Sequence, residues 1–207
     1  TSRPERPRCV FFEDSALNSL ANIVLDLDGT IVFPEQAEIS IPGRSRPTFI
    51  ATSTAQWLGR IAQKCNLYLA TARNAASVAR VVNSLPNVSF AGYVLECGLV
   101  SRIDIHATPQ PSQDRELLVA LLQESLQNWE CVAGYEQMVC FIAPSVIDNA
   151  PEVVCQLLAQ QSLKTAWHVH QERQKTFLYP QILCKAEGLS KLGVSRIDFA
   201  AGDDLLY

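Results

Sequence analysis

The chain has no block of basic residues. Its 17 Lys and Arg are outnumbered by 21 Asp and Glu, for a formal net charge of -4. Nucleic acids are bound through clustered cations, so a nucleic-acid partner is not expected. The one Arg- and Pro-rich stretch, Arg3-Pro4-Glu5-Arg6-Pro7-Arg8, is short and reads as a flexible lead-in. No apolar run reaches the length of a membrane span, so no membrane partner is expected either. No signal peptide is visible, and the first residue is Thr1 rather than Met. The 7 cysteines form no CxxC pair, and most sit in apolar runs as small hydrophobes. Their odd number and lack of pattern argue for a reducing compartment, and a cytoplasmic location is expected. His168 and His170 share a strand face but have no third ligand nearby in sequence, so they are not read as a metal site.

What the chain does have is apolar substance. Hydrophobic residues make up 48% of its 207 positions and charged residues 18%. That is enough for one large domain, or for a core with a smaller insert. The organising stretch is Val24-Leu25-Asp26-Leu27-Asp28-Gly29-Thr30-Ile31. An apolar run reads as a buried strand, and Gly29 lets the backbone turn sharply at its carboxyl end. In an open parallel sheet, ligands gather at that end. Asp26 and Asp28 have the spacing of two carboxylates aimed at one centre. Such a pair repels unless a cation or a proton intervenes. Oxygen donors of this kind suit Mg²⁺, which favours carboxylates together with phosphate.

Taken in order, the chain alternates strands and helices. A weakly helical lead-in over residues 11–20 precedes a strand over 21–28. Residues 33–47 hold Pro34, Pro42, Gly43 and Pro47 and read as loop. Ser53 is placed to cap a helix that buries Trp57, Leu58, Ile61 and Ala62 at three- and four-residue steps. A strand over 67–70 runs into Thr71-Ala72-Arg73-Asn74, and a helix bearing Val78, Ala79 and Val82 follows until Pro86 ends it. Thr71 therefore lies close to a helix N-terminus, where amides and dipole favour an anion. A strand over 93–96 closes at Cys97-Gly98, and residues 99–105 alternate like a hairpin arm. After the linker Thr108-Pro109-Gln110-Pro111-Ser112 the pattern changes. Ser112 caps a helix carrying Leu118, Leu121, Leu122, Leu126 and Trp129. Residues 132–143 form one or two strands, Asn149 and Glu152 make a capping box for a helix with Val153, Val154, Leu157 and Leu158, and strand-like runs cover 165–170 and 175–179.

The string apolar-Asp26-Leu27-Asp28-Gly29-Thr30 resembles the first motif of the haloacid-dehalogenase-like (HAD) phosphohydrolases. Three further motifs of that family are matched in order. Thr71 after the strand Asn66-Leu67-Tyr68-Leu69-Ala70 stands for the second. Lys185 in Ile182-Leu183-Cys184-Lys185-Ala186-Glu187-Gly188 stands for the third. Ile197-Asp198-Phe199-Ala200-Ala201-Gly202-Asp203-Asp204 stands for the fourth. Each is weak alone; the ordered set is specific and spans nearly the whole chain. The resemblance implies an α/β fold: a Rossmann-like core with a parallel sheet over residues 20–105 and 182–207, and a small α+β cap over 106–181. Residues 1–19 are a lead-in.

A cap between the second and third motifs is typical of sugar-phosphate phosphatases of this family, such as those for sucrose and trehalose phosphates and the Cof-like enzymes. Thr71-Ala72-Arg73 departs by one small residue from their usual Thr-Gly-Arg, and Glu96-Cys97-Gly98 is similar to their Glu-Asn-Gly turn. The resemblance implies Asp26 as nucleophile and Asp28 as general acid and base. It implies Thr71, Ala72, Gly29, Thr30 and Lys185 around the phosphate, and Mg²⁺ held by Asp26, Asp28, Asp203 and Asp204. Arg73 is left open between orienting the substrate and pairing with a core carboxylate. The expected substrate is a sugar phosphate or similar small phosphorylated metabolite. A phosphomutase and a non-catalytic phosphosugar-binding module are the alternatives. Tyr207 falls so soon after the fourth motif that the chain is expected to be a piece of a longer protein, with core elements beyond it.

Overall fold

The computed structural model describes residues 20–202, except 45, 147–148 and 162–164. The helical lead-in expected over 11–20 falls, but for its last residue, outside the described residues, as do Asp203 and Asp204.

In chain order the elements are β1 (Ala21–Leu25), β2 (Ile39–Ile41), β3 (Thr48–Ile50), α1 (Thr52–Ala62), β4 (Cys65–Ala70), α2 (Ala75–Asn83), β5 (Gly92–Leu95) and β6 (Val100–Arg102). A single 3-10 turn, Glu96–Gly98, joins β5 to β6. Then come α3 (Gln113–Ser125), β7 (Glu130–Cys131), β8 (Val139–Ile142), α4 (Ala150–Ala159), β9 (His168–Glu172), β10 (Lys175–Tyr179), α5 (Lys185–Lys191) and β11 (Phe199–Ala201).

Side-chain alternation along three strands sets the layers. Ile23 and Leu25, Leu67 and Leu69, and Tyr93 and Leu95 face one way and pack with Leu58 of α1 and Val78 and Val81 of α2. Val24, Tyr68, Ala70 and Val94 face the other way, with Leu189, Leu192 and Val194 in and after α5. Helix α2 carries three Val and is too short to persist alone, so tertiary packing holds it.

The main sheet has the order β11-β1-β4-β5-β6. β11, β1, β4 and β5 are parallel, with Ile23 opposite both Phe199 and Leu67, and β6 is an antiparallel edge. From β1 the chain steps outward through β4 to β5, and β11 then returns on the other side of β1. The strand order thus reverses at β1, and an open sheet forms its ligand crevice at the carboxyl ends beside such a reversal. The fold is α/β and Rossmann-like, as the sequence leads one to expect.

A second sheet, β7-β8-β10-β9, is antiparallel throughout. One face packs Val139, Phe141 and Leu178 against Leu118 and Leu122 of α3 and Val154 of α4. The opposite side carries Cys140, Phe177 and Tyr179, clustered with Tyr135, Met138 and Leu99.

Several local expectations are corrected. Within 33–47, β2 pairs antiparallel with β3 (Ile39 opposite Ile50), so part of the expected loop is a short hairpin. Ser53 lies inside α1, whose N-cap is Ala51; the Thr52 amide instead donates to the Glu38 carboxylate (3.0 Å). Trp57 is 61% exposed, off the buried face, with the Arg60 guanidinium 5.4 Å from its ring centroid. Asn149 occupies the N-cap of α4 but makes no capping hydrogen bond; a proline in the first turn and the charge of Glu152 favour the start there. The strand placed at 165–170 begins at His168. Ser112 does cap α3, accepting from the Arg115 amide.

The linker into the second sheet is tied down by a buried ion pair. Arg102 donates to Ala107 O (2.9 Å) and to Glu136 Oε1 (2.5 Å), with side chains 12% and 6% exposed. Glu136 Oε2 accepts the Gln110 amide, and its carbonyl accepts that of Ser112. Arg102→Met leaves a buried carboxylate without its cation and is expected to cost about 3–5 kcal/mol in chemical denaturation. Adding Glu136→Gln to that variant should recover most of the loss; a loss well under 1 kcal/mol for Arg102→Met alone would rule out a structural role for the pair.

Candidate active site

β1 ends at Leu25, and the next residue begins the site. The Asp26 amide still bonds to Ala201 O of β11 (2.8 Å), holding Asp26 at the carboxyl edge. The chain then turns tightly. The Ile31 and Val32 amides both donate to Leu27 O (2.9 Å each), and the Gly29 amide donates to Val32 O (3.0 Å) with Gly29 at φ 72°. The Thr30 amide also points inward, to Leu27 O at 3.4 Å. Of these two residues expected at the phosphate, each therefore spends its amide within the turn.

Asp26 accepts the Leu27 amide on Oδ1 (2.7 Å) and the Lys185 ammonium on Oδ2 (2.9 Å). Both side chains of this ion pair are 15% exposed. Lys185 is the first residue of α5, where the helix dipole disfavours a cation; the Asp26 carboxylate supplies compensating charge. Asp28, 58% exposed at its side chain, is held in a two-pronged pair by Arg73: Nε to Oδ2 at 2.9 Å and Nη2 to Oδ1 at 2.6 Å. Of the two partners left open for Arg73, the structure shows the carboxylate, Asp28. Such fork-to-fork pairs fix orientation as well as charge.

Thr71 sits at the end of β4, 1% exposed, with its amide bonded to Val94 O (2.8 Å). Its Oγ1 accepts the Arg73 amide (3.2 Å), which leaves its hydroxyl proton as a donor. The cap of α2 is Asn74, whose Oδ1 accepts the Ser77 amide (2.9 Å), so Thr71 is not itself the cap. Ala72, between Thr71 and Arg73, is exposed. Asp26, Asp28, Thr71, Arg73 and Lys185 therefore gather at the carboxyl ends of β1 and β4 and the start of α5.

The turn after β5 closes the site's floor. Glu96 and Cys97 both have left-handed backbones, φ 52° and 55°, and Gly98 follows at φ 104°. The Cys97 amide donates to Thr71 O (3.0 Å) and the Glu96 amide to Arg73 O (3.2 Å). A Cβ on Gly98 would stand 2.0 Å from Cys184 O, and one on Gly188 2.5 Å from Val94 Cγ1. Those two glycines let α5 dock directly on the turn, which is what brings Lys185 to Asp26. Burial pushes the Cys97 thiol up to about 11, with the Lys185 ammonium opposing and the Asp26 and Glu96 carboxylates adding to the rise. Cys97 is therefore a neutral thiol at neutral pH, not a rival nucleophile.

Sequence reasoning noted the Glu96-Cys97-Gly98 turn but gave Glu96 no task. Glu96 is fully buried, and its carboxylate accepts the amides of Glu136 (2.7 Å), Gln137 (2.9 Å) and Met138 (2.8 Å). Burial pushes its carboxyl above the usual range, while those three amides pull the other way. A charged residue ending an otherwise apolar strand was the available signal.

Among the described residues no cluster of three or more His, Cys, Asp or Glu suited to a metal is present. The side-chain oxygens gathered at the switch point are nonetheless hard donors, those of the Asp26 and Asp28 carboxylates. In sequence, Asp203 and Asp204 follow Ala201, the last residue of β11, whose carbonyl accepts the Asp26 amide. That chemistry fits Mg²⁺.

No protein-family model matches this sequence, and no curated protein matches it in sequence. Solved structures do match in shape. A hypothetical protein of Geobacillus kaustophilus aligns with a TM-score of 0.58 at 14% identity, over 90% of this chain and 81% of that one. A phosphatase of the haloalkanoate (HAD) enzyme superfamily from Bacteroides thetaiotaomicron gives 0.55 at 15%, over 90% and 78%. A trehalose-6-phosphate phosphatase related protein gives 0.52 at 12%, over 83% and 73%. The chain has the fold of the HAD-superfamily phosphatases: a Rossmann-like core with an α+β addition.

Proposed function

We propose that the chain is a Mg²⁺-dependent phosphomonoesterase acting on a sugar phosphate or similar small phosphorylated metabolite through an aspartyl-phosphate. The observation that carries this reading is the placement of two differently partnered carboxylates, Asp26 with Lys185 and Asp28 with Arg73, at the point where the strand order reverses. Two carboxylates in unlike surroundings are suited to unlike roles.

An Asp26 carboxylate oxygen attacks phosphorus, and the bond from phosphorus to the ester oxygen breaks. Asp28 gives its proton to the departing alkoxide. In the second step Asp28 takes a proton from water as that water attacks, and phosphate leaves with Asp26 restored. Splitting the reaction in this way lowers each barrier. Lys185 and the Thr71 hydroxyl donate to the phosphoryl oxygens, and Lys185 keeps Asp26 aimed. Arg73 must release one Asp28 oxygen before that carboxyl can act on a leaving group. Asp26 and the Asp28 carbonyl, with Asp203 and Asp204, would hold Mg²⁺, which offsets the repulsion between carboxylate and phosphate. The segment 106–181 serves as a cap that excludes water and chooses the leaving group. No described helix is long and apolar enough to cross a membrane.

Phosphate release from a panel of sugar phosphates, with Mg²⁺ and with EDTA, tests the reading. Release dependent on Mg²⁺ is the expected result. Phosphoryl return to the sugar in place of release would identify a mutase, and binding without turnover would identify a phosphosugar-binding module.

A further inference from the structure

Glu96 is a buried carboxylate that the proposed chemistry does not use. It stands on the turn after β5, and groups gathered at the site are fastened to that turn. The Glu96 amide donates to Arg73 O (3.2 Å) and the Cys97 amide to Thr71 O (3.0 Å). With the Thr71 amide on Val94 O (2.8 Å), the loop 71–73 is bonded at three points to residues 94–97. Gly98 lies against the Cys184 carbonyl with no room for a Cβ, so the start of α5, and Lys185 with it, rests on the same turn. Where residues 96–98 stand thus sets where the Thr71 hydroxyl and the Lys185 ammonium stand.

The turn is not a shape the chain adopts by default. Glu96 (φ 52°), Cys97 (φ 55°) and Gly98 (φ 104°) are three successive left-handed residues, two of them with side chains. Such backbone is costly and persists only where its surroundings over-determine it. One set of restraints comes from the core, through the carbonyls of residues 71 and 73. The other comes from the second sheet, and Glu96 makes it. Its fully buried carboxylate accepts the Glu136 amide on Oε1 (2.7 Å) and the Gln137 and Met138 amides on Oε2 (2.9 and 2.8 Å). That segment is itself fixed, since Arg102 pairs with Glu136 and Arg115 Nε donates to Met138 O (3.1 Å). The side chain and the amide of one residue therefore join the second sheet to the loop that bears Thr71 and Arg73.

We propose that Glu96 is a positioning residue for phosphate binding: by gripping the amides of residues 136–138 it locks the turn against which Thr71 and Lys185 are held. The inference rests on the phosphomonoesterase reading above. It makes the second sheet a structural part of the phosphate site, and not only a cover over the leaving group.

Glu96→Gln keeps the volume and two of the three bonds, but turns an NH₂ group toward the Glu136 N–H. Glu96→Ala removes all three. Loss of a hydrogen bond to a charged group corresponds to about 10–150-fold in binding. In calorimetric titration with Mg²⁺ present, orthophosphate should therefore bind about 10-fold more weakly to Glu96→Gln and up to about 150-fold more weakly to Glu96→Ala. For each variant kcat/KM should fall by one common factor on the best sugar phosphate of the panel and on p-nitrophenyl phosphate, because both present the same phosphoryl group. Leu118→Ala opens a cavity in the cluster between α3 and the second sheet, which includes no residue of the turn. It should lower Tm and leave orthophosphate affinity as it is. Unchanged affinity in the folded Glu96 variants, a loss confined to the sugar ester, or an equal loss in Leu118→Ala would each overturn the role of Glu96. Should neither Glu96 variant fold, hydrogen exchange in the wild type decides, since coupling between two sites is reciprocal. Saturating orthophosphate should slow exchange of the Glu136, Gln137 and Met138 amides, and unaltered rates would overturn the inference. A wild type that binds orthophosphate but releases it from no ester fails the phosphomonoesterase reading alone, and the titrations still decide the role of Glu96. A wild type that binds no orthophosphate overturns the inference as well.

Discussion

Asp26→Asn is expected to leave a folded protein with no measurable turnover, a loss on the order of 10⁴-fold or more. The amide keeps the side chain's shape and can still accept the Leu27 N–H on Oδ1, but it cannot form an acyl-phosphate. The change is not silent for stability. In the sequence Asp26 stands as one of several clustered carboxylates whose removal would relieve repulsion. In the structure its Oδ2 is the acceptor for Lys185, in a pair only 15% exposed on each side. The variant places an NH₂ group against an ammonium, and a hydrogen bond to a charged group is worth about 1.5–3 kcal/mol. A thermal melt should therefore fall by a few degrees while remaining cooperative. Turnover above a small fraction of the wild-type rate would remove Asp26 from the role of nucleophile. A rise in Tm would mean that the Asp26–Lys185 pair does not stabilise the fold.

The Asp26 and Thr71 part of the candidate site was legible because these residues sit at the ends of strongly apolar strands. Leu25, Leu67, Leu69 and Val94 mark buried strands by composition alone, and Asp26 and Thr71 follow at their carboxyl ends, where an open sheet places ligands. Lys185 was legible as the match to the third motif; it opens α5, where a cation needs a partner, and Asp26 supplies one. Other features depend on contacts that leave no local trace. The hairpin of β2 and β3 joins two runs of three residues, separated by Pro42 and Pro47, too short for a periodic signal. Trp57 matched the helical period but falls on the solvent side, over Arg60. The position of Glu96 at the end of an apolar strand marked it, but its partners could not be read, because they are backbone amides beginning 40 residues later and an amide carries no residue identity. The pairing of Arg73 with Asp28 was equally closed to sequence, since a substrate phosphate and a carboxylate present the same oxygen fork.

Asp28→Asn should lose more activity on a sugar phosphate than on p-nitrophenyl phosphate when the phosphorylation step is followed in a single turnover. A sugar alkoxide leaves poorly unless it is protonated as the bond breaks, whereas a nitrophenolate leaves without help. General acid catalysis is typically worth about 10²–10⁴ in rate, so a loss within that range is expected on the sugar ester and a much smaller one on the aryl ester. The side chain is 58% exposed and its ion pair lies at the surface, where such pairs contribute roughly 0–1 kcal/mol, so stability should barely move and the rates can be compared directly. The geometry also defines the rival role. Arg73 grips both Asp28 oxygens, at 2.9 and 2.6 Å, so Asp28 could serve only to aim that guanidinium at the substrate. Asparagine would retain one acceptor for Arg73 and lose the charge, which misplaces Arg73 to the same degree for every ester. Equal losses on both substrates would therefore assign Asp28 to holding Arg73, and the proton would have to come from another group or from water. Steady-state rates cannot separate the two roles, because the same carboxylate would activate water in the second step; the single-turnover ratio between the two esters can.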